Sequence, residues 1–320
     1  MRTSNRKLNF LFIIDSFKKL DLRYDTSLAL MIECQKRGHR VFYAEPKEIV
    51  LTNHTVRIKA SETTLARSIP TLVHVEWIDA SKFDYIFIRK DPPVDLEYIY
   101  MTHKLEYVPN HVRIINRPKG IRDTNEKIVG LRFKKWMPAS VVTSSLDGIL
   151  TFQSSIHSDV ILKPLNRKGG EGILLLPKHS NQKEKIIRKS TRNGTESVIA
   201  QKFIKKGLTE GDKRILIWDG KMIGAFGRVP KRGEFRANIS CGGSFVKTKI
   251  TKREMQIVRA VNPFLRKMGL LFVGLDLIDG WITEINVTSP AGIVDIQELY
   301  GIHLEKLMIN SLEQKARRQA

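Results

Sequence analysis

Apolar residues in the first third of the chain follow two alternating spacings. Short apolar runs of strand length are separated by segments in which apolar positions recur every three to four residues, as on one face of a helix. Strands that alternate with helices favour a parallel sheet with helices on its faces. The predicted strands are LNFLFIID (8–15), VFYAE (41–45), DYIFIRK (84–90) and RIIN (113–116), and the predicted helices are TSLALMIECQKRGH (26–39) and DLEYIYMTHKLEY (95–107).

The rest of the chain has turn signals that are typical of antiparallel pairing. Asp219-Gly220 and Asp279-Gly280 each separate two apolar runs, and Asp-Gly is a strong signal for a two-residue hairpin turn. The predicted elements are a helix over 121–133, strands over 139–143, 159–166 and 197–204, a glycine-rich turn over 166–173, a hairpin over 212–229, an amphipathic helix over 253–269, a hairpin within 273–290 and a C-terminal helix.

The composition predicts a soluble protein of the reducing cytosol. The 320 residues, 42% of them hydrophobic, suffice for two or three domains with their own cores. No apolar run approaches the roughly 20 residues that span a bilayer. The run over 8–14 stops at Asp15 without a cleavage site, so we interpret it as a core strand rather than a signal peptide. The two cysteines, Cys34 and Cys241, have neither metal-site nor disulfide-framework spacing.

The charge of the chain is strongly positive. It has 55 Lys and Arg against 33 Asp and Glu, a net charge of +22. Such a charge attracts anionic partners, including nucleic acid. However, the basic residues are spread along the chain, and no RNA-recognition, zinc-finger or KH signature is present. We therefore favour a solvated basic surface, or a field that attracts anionic substrates, over nucleic-acid binding.

Three side chains with oxygen donors fall within the last predicted hairpin. Glu284 and Asn286 are two residues apart on one strand, so they point to the same face, and we expect Ile282 to share it. Pairing across the turn sets Asp276 beside them. Two carboxylates and an amide oxygen suit Mg²⁺, whose charge would offset the cost of burying them. The alternative is a pair of surface-facing acids on an edge hairpin.

Two lysines and a glycine-rich loop form a candidate phosphate site. Lys163 lies in the apolar strand VILKPL, and Lys127 lies in the segment TNEKIVG, which is predicted to be helical. Gly169, Gly170 and Gly172 would let backbone N–H groups approach phosphate oxygens. The loop is not a Walker loop, and a GGEG turn alone is more often a plain hairpin tip. Together with the acidic face, these residues indicate a nucleotide site.

Six sequence blocks point to one known family. They are RKDPPVDLEYIY (89–100), NRPKGIRDTNEK (116–127), LKPL (162–165), GDKRILI (211–217), GRVPKRGEFRANISCGG (227–243) and VGLDLIDGWITEINVTSP (273–290). With them in this order, the chain resembles the bacterial type of glutathione synthetase, an ATP-grasp ligase. The resemblance implies an α/β fold with an N-terminal parallel-sheet domain over 1–121. It also implies an ATP-grasp pair, a central lid domain over 122–200 and a catalytic domain over 201–320, which hold the nucleotide between them.

The resemblance also implies a reaction. γ-Glutamylcysteine, glycine and ATP would give glutathione, ADP and phosphate through an acyl phosphate. These small molecules would be the partners of the chain, in the cytoplasm, without membrane association. Members of the family are often tetramers, so a homo-oligomer is expected, although no interface is legible in the sequence.

Residue roles follow from the same resemblance. Lys127 and Lys163 match lysines that contact nucleotide phosphates. Asp276, Glu284 and Asn286 match magnesium ligands, with Mn²⁺ as an alternative ion.

Other matched residues surround the reacting groups. Residues 230–243 match a mobile loop with Gly233, Gly242 and Gly243 as hinges. Without the resemblance, each matched arginine would more often be a surface residue. The matches are Gln201, Lys202, Phe203 and Ile204 for the strand whose backbone amides read adenine, and Arg214, Arg228 and Arg236 for oxyanion clamps.

Departures from the family pattern leave alternatives open. The small loop reads NRKGGEG where an acidic-glycine start is expected, and Ser244 stands where arginine is usual. One alternative is another ATP-grasp carboxylate–amine ligase with a different acceptor. A less favoured one is a non-catalytic ATP-grasp protein that binds nucleic acid through its charge.

Overall fold

The protein, seen here as a computed structural model, is described over residues 6–66, 69–237 and 242–318. It is a mixed α/β protein with three β-sheets, which confirms the predicted fold class. No helix of the described part is both long and apolar enough to cross a membrane. Cys34 is buried and free, and Cys241 lies outside the described residues.

The first sheet lies in the N-terminal part of the chain. Its strands are β1 Asn9–Ile13, β2 Arg40–Ala44, β3 Ile49–Leu51, β4 Val56–Ala66, β5 Ile69–Asp79, β6 Tyr85–Ile88 and β7 Arg113–Ile115, and its helices are α1 Thr26–Lys36, α2 Leu96–Leu105 and α3 Pro118–Arg122. β1 pairs in parallel with β2 and β6, and β6 with β7, as predicted. β4 runs antiparallel to β2, β3 and β5, so β5 forms one edge.

The second sheet is antiparallel, with strand order β10-β9-β11-β8. Its elements are β8 Ser140–Thr143, α4 Leu146–Ile156, β9 Val160–Pro164, β10 Leu174–Leu176, α5 Lys183–Ser190 and β11 Val198–Lys202. Val160 and Leu162 pack with Ile149 of α4 and Ile187 of α5 in one core. Because side chains alternate along a strand, Lys163 of β9 points away from that core.

The third sheet is also antiparallel, with strand order β14-β13-β12-β15-β16. Its elements are β12 Asp212–Trp218, β13 Lys221–Val229, β14 Ser244–Val246, α6 Lys252–Met268, β15 Phe272–Ile278, β16 Trp281–Asn286, α7 Ile293–Tyr300 and α8 Leu304–Arg317. Both predicted Asp-Gly hairpins are present in it. A capping box of Thr251 and Glu254 starts α6, and Gly269 ends it in the left-handed conformation at φ 67°.

The first and third sheets are joined by buried hydrogen bonds. The side chain of Asn116 donates to the carbonyls of Phe272 and Val287, each at 2.7 Å, and accepts from the N–H of Phe272 at 2.8 Å. The Tyr85 hydroxyl donates to the Leu312 carbonyl of α8 at 2.8 Å. These contacts fix the β15–β16 hairpin against the N-terminal sheet.

Some predictions of secondary structure were wrong. The helix predicted over 121–133 is instead the end of α3, a turn that carries Lys127, and a 3-10 turn at Val129–Phe133. The β4–β5 hairpin, α4 and α5 were not predicted. Other single 3-10 turns lie at Phe17–Lys19, Pro46–Glu48, Ala80–Lys82 and Lys205–Leu208. The domain boundaries stay a prediction. β11 runs through residue 200, at which the central domain was predicted to end.

Candidate active site

A cleft separates the second sheet from the third. One wall is formed by β9, β11 and the segment that follows β11. The opposite wall is formed by β12, β13, β15 and β16. Its lining includes predicted site residues from both sheets, namely Lys163, Gly170, Gln201, Lys202, Phe203, Ile204, Arg228, Arg236, Asp276 and Glu284.

The acidic hairpin brings its three polar residues together. Asp276 on β15 lies directly opposite Glu284 on β16, and Gly274 lies opposite Asn286. The Asn286 side chain donates to Asp276 Oδ2 at 3.2 Å. The three residues therefore share one face, rather than being splayed to separate surfaces.

A β-bulge changes the rest of that face. The pairing shifts after Asp276, so that Leu277 lies opposite Ile282 and Thr283 is the extra residue. Ile282 consequently joins Ile285 in the hydrophobic core. The expectation that Ile282 shares the face of Glu284 was wrong, because simple alternation does not hold across a bulge.

Two arginines neutralise Asp276. Arg214 Nη2 and Arg228 Nη2 lie 2.8 and 2.9 Å from its Oδ2. Burial alone would raise the pKa of Asp276, but the two guanidiniums outweigh it and hold that pKa well below its ordinary value. The two arginines thus favour the charged form of this carboxylate.

Asp212 completes this network and was missed in the sequence. Arg228 Nε donates to its Oδ1 at 2.6 Å, and Arg228 Nη2 donates to its Oδ2 at 2.9 Å. Burial raises the pKa of Asp212, while Arg228 opposes the shift. A sequence signal did exist, because Asp212 and Arg214 are two residues apart on a strand and share a face.

Lys163 is a buried cation beside the acidic face. Its Nζ donates to Gln201 Oε1 at 3.1 Å and to the Thr283 carbonyl at 3.4 Å. Only 8% of the residue is exposed, and burial lowers the pKa of its ammonium, although the charge of Glu284 opposes the shift. Neutral oxygens are its direct partners, so an anion entering the cleft would gain a charge-assisted bond to it.

Lys127 is held next to Glu284 by its neighbour in the chain. Glu126 Oε1 accepts from the N–H groups of Val287 and Thr288 at 2.8 and 3.0 Å, which fastens the turn to the end of β16. Lys127 Nζ then lies 3.8 Å from Glu284 Oε1. It also donates to the Arg167 carbonyl at 2.7 Å, at the start of the glycine-rich loop.

The glycine-rich loop needs its glycines. Gly169, Gly170 and Gly172 have φ values of 62°, 81° and 72°, which side chains rarely adopt. The loop is tied to other parts of the chain, since Lys168 forms an ion pair with Asp91 and Arg236 Nη1 donates to the Gly170 carbonyl at 3.3 Å.

The segment Gln201 to Ile204 lines the cleft, but two of its amides are already used. The Lys202 N–H donates to the Ala139 carbonyl at 2.8 Å, and the Phe203 N–H donates to the Asp159 carbonyl at 2.9 Å. These two N–H groups are therefore not available to a ligand in the cleft.

Arg236 lies in the segment predicted as a mobile loop. Its Nη2 lies 2.7 Å from Glu234 Oε2, which lowers the pKa of Glu234 to about 2, mainly through this hydrogen bond. Gly233 and Gly242 have positive φ. Residues 238–241 of the predicted loop lie outside the described residues.

The donor chemistry of the hairpin fits a hard divalent cation. A carboxylate from Glu284, the amide oxygen of Asn286 and Asp276 Oδ1 are all oxygen donors. Asp276 Oδ1 accepts from Arg214 Nε, which leaves it further acceptor capacity. Within the described ranges there is no cluster of three or more His, Cys, Asp or Glu suited to a metal, so any ion would depend on Asn286 as well as the two acids.

Two antiparallel sheets around a cleft with buried lysines and an acidic hairpin, behind an N-terminal α/β sheet, define an ATP-grasp ligase. The crystal structure of a D-cycloserine synthetase has the same fold, with a TM-score of 0.68 at 14% identity, covering 96% of this chain and 99% of that one.

Sequence comparison places the chain more closely. The model of the prokaryotic glutathione synthetase N-terminal domain matches residues 8–122, and that of the prokaryotic glutathione synthetase ATP-grasp domain matches 126–301. The glutathione synthetase of Synechocystis sp. is 39% identical over 318 residues, covering 95% of this chain and 98% of the relative. That of Gloeobacter violaceus is 38% identical over 320 residues, covering 97% and 98%. The chain belongs to the prokaryotic glutathione synthetase family, as the sequence blocks predicted.

Proposed function

We propose that the chain joins γ-glutamylcysteine and glycine into glutathione, with ATP as co-substrate. The observation that carries the proposal is that Lys163 lines the same cleft as Asp276 and Glu284, while Lys127 Nζ lies 3.8 Å from Glu284 Oε1 and Asn286 is bonded to Asp276. Cations and oxygen donors gathered in this way suit a nucleotide triphosphate with its metal ion. The two amino-acid substrates are those that the formation of glutathione requires.

ATP would lie between the second and third sheets. The Ile204 N–H would contact the base, and Lys127 and Lys163 would bind phosphate oxygens. Lys163 suits this role because it has no carboxylate among its direct hydrogen-bond partners in the described part of the chain. The Gly169–Gly170–Gly172 loop would cover the phosphates, tied down by Lys168 and Arg236.

Members of this class use a divalent metal ion, and we propose Mg²⁺ here, held by Glu284, Asn286 and Asp276. The ion would screen the negative charges of the phosphates and of the incoming carboxylate. The cation would use Asp276 Oδ1, which accepts from Arg214 Nε, while Oδ2 would keep its contacts with Arg214, Arg228 and Asn286.

The arginines would position the reacting carboxylate. Arg214 and Arg228 are immobilised by Asp276 and Asp212, which removes most of the entropic cost of ordering them. A carboxylate oxygen of γ-glutamylcysteine attacks the γ-phosphorus, and the bond to the ADP oxygen breaks. The glycine amine then attacks the acyl carbon, loses a proton and expels phosphate. Exclusion of water by the loops protects the acyl phosphate.

Other properties follow from this activity. The substrates are small, polar metabolites of the cytoplasm, and we propose that compartment for the enzyme. The expected homo-oligomer stays a prediction from the family. The positive charge would draw in substrates that are all anionic or zwitterionic.

The proposal is tested by ADP release. With γ-glutamylcysteine and ATP, we expect sustained ADP release only when glycine is added, and a product with the mass of glutathione. A panel of other amino acids tests the acceptor. This test is needed because the NRKGGEG loop and Ser244 depart from the family pattern. Faster turnover with another amino acid would favour the alternative ligase and contradict glycine as the acceptor.

A further inference from the structure

The outer edge of β5 is an exposed, apolar strand edge. Across the described residues, β5 pairs only with β4, so its other edge has no partner strand. Four large apolar side chains on it are exposed, to 48% for Leu72, 62% for Val73, 51% for Val75 and 43% for Trp77. Edges of this kind recruit another strand unless the sequence prevents it.

The sequence of β5 does not carry the usual protection. Proteins block free edges with lysine, with proline or with inward-pointing charges. The chain has 55 Lys and Arg among 320 residues, yet IPTLVHVEWID over 69–79 has none, and its one proline, Pro70, stands at the start. A strand without lysine and with an exposed tryptophan has the composition of a protein–protein interface, not of a solvated surface.

A β-bulge concentrates the apolar side chains on one face. Leu72 pairs with Thr63, Val75 with Ser61 and Trp77 with Lys59, and these three partners are alternate residues of β4. Leu72, Val75 and Trp77 therefore share one face of the sheet, and Val73 is the extra residue at the bulge. Without the bulge, Leu72 would point to the other face.

We propose that this edge pairs with β5 of a second copy of the chain, antiparallel, about a two-fold axis at Val75. In that register Val75 lies opposite the partner copy's Val75, and Val73 lies opposite Trp77 on the same face. His74 lies opposite Glu76 twice, once on each side of the axis. Imidazole and carboxylate are complementary at cross-strand distance.

Neighbouring registers are less favourable. Moving the axis to Glu76 would place two like charges directly opposite each other, which is destabilising. Moving it to His74 would place Glu76 opposite Leu72, so that its carboxylate would gain no partner from the second copy and keep only His74 of its own strand, 4.0 Å away. Residues that lie opposite each other in the paired strands must point to the same face of the sheet. The axis must therefore pass through a residue, and it can move only by whole residues. The charges therefore select the register centred on Val75, and two first sheets become one continuous sheet.

The mass of the full-length chain in solution tests the assembly, by sedimentation velocity over about a hundredfold range of concentration. We expect a dimer, or an even multiple of it, of the 36.7 kDa chain. Val75→Lys places two ammonium groups opposite each other at the axis, and we expect it to halve the assembly mass while ATP-dependent turnover shows that the variant folds. Tyr107→Lys, at a residue that is 68% exposed on another surface, is the matched control and should leave the mass unchanged. A monomeric wild type, or a Val75→Lys variant with wild-type mass, would overturn the proposal.

A charge exchange tests the register. His74→Glu creates two Glu–Glu contacts, so we expect the dissociation constant of the assembly to rise about tenfold or more. The double variant His74→Glu with Glu76→His restores opposite partners and should restore assembly. A double variant as weak as the single one would overturn the Val75-centred register. These readouts are independent of whether glutathione is the product.

Discussion

Arg228 and Asp276 form an ion pair inside the cleft, with Arg228 Nη2 2.9 Å from Asp276 Oδ2. Both side chains are almost fully buried, and Arg214 and Asp212 complete the set with one more charge of each sign. Two acids and two arginines are thus neutral as a group. Such a group is stable only while complete, because removal of one member leaves an uncompensated buried charge.

Asp276→Asn tests this network. We expect the free energy of unfolding to fall by about 3 kcal/mol, because the two arginines lose a shared carboxylate. Ligation should also be lost. Asp279→Asn is the matched control, since Asp279 is in the turn of the same hairpin and makes a surface pair with Lys206 that is worth at most about 1 kcal/mol. Equal stability of the two variants in urea unfolding would show that the network does not hold the hairpin.

Glu284→Gln keeps the shape of the side chain and removes its charge. We expect ADP release to fall by about a hundredfold or more with the fold retained, because in our proposal Glu284 would supply a metal-facing carboxylate. The exposed Glu97→Gln on α2 is the control. Wild-type turnover should stop when EDTA is added and return with Mg²⁺. Activity that persists in EDTA would contradict the metal assignment.

Lys163→Ala should weaken ATP binding. Loss of a charge-assisted contact to phosphate should raise the dissociation constant of ATP about tenfold or more, as measured by calorimetry. Lys185→Ala, on the exposed side of α5, tests whether loss of any positive charge has this effect. Equal affinities of Lys163→Ala and the wild type would remove Lys163 from the nucleotide site.

Asp295 gives a prediction for pH. It is buried on α7, its Oδ1 has no hydrogen-bond partner in the described part of the chain, and burial raises its pKa from 3.8 to about 6. The folded state therefore binds this proton more tightly than the unfolded state does. Its contribution to stability is present below pH 3.8 and is lost as the pH rises to about 6.

Asp295→Asn should remove the loss of stability that accompanies ionisation of Asp295. Above pH 7 we expect the variant to be more stable than the wild type by about 2 kcal/mol, since it has no carboxylate to ionise in a buried place. Glu97→Gln, exposed on α2, should change little. A wild type and an Asp295→Asn variant with the same pH dependence of stability between pH 4 and 7 would contradict the prediction.

The sequence predicted the parts of the site that regular alternation controls. Lys163 stands out because it is charged within an apolar strand, and Glu284 and Asn286 share a face through the two-residue period of β16. The placement of Ile282 failed because a bulge interrupts that period. Bulges depend on tertiary packing, and no local signal marked this one.

Long-range contacts account for the other differences. The segment around Lys127 has helical spacing, yet it is a turn because Glu126 bonds to the backbone at Val287 and Thr288, about 160 residues away in the chain. The β4–β5 hairpin was missed because β5 is exposed on both faces, so it lacks the alternation that marks a half-buried strand. A strand that pairs with a second copy of the chain would lack this alternation, because its side chains are exposed in the single chain.

Transfer of oxygen from the substrate to phosphate tests the central claim most directly. γ-Glutamylcysteine labelled with ¹⁸O in its cysteinyl carboxylate is incubated with the enzyme, ATP, Mg²⁺ and glycine, and the released phosphate is analysed by mass spectrometry. Direct attack of the carboxylate on the γ-phosphorus predicts one labelled oxygen in each phosphate and the mass of glutathione in the peptide product. Unlabelled phosphate, with ADP formed at the same rate, would contradict the account.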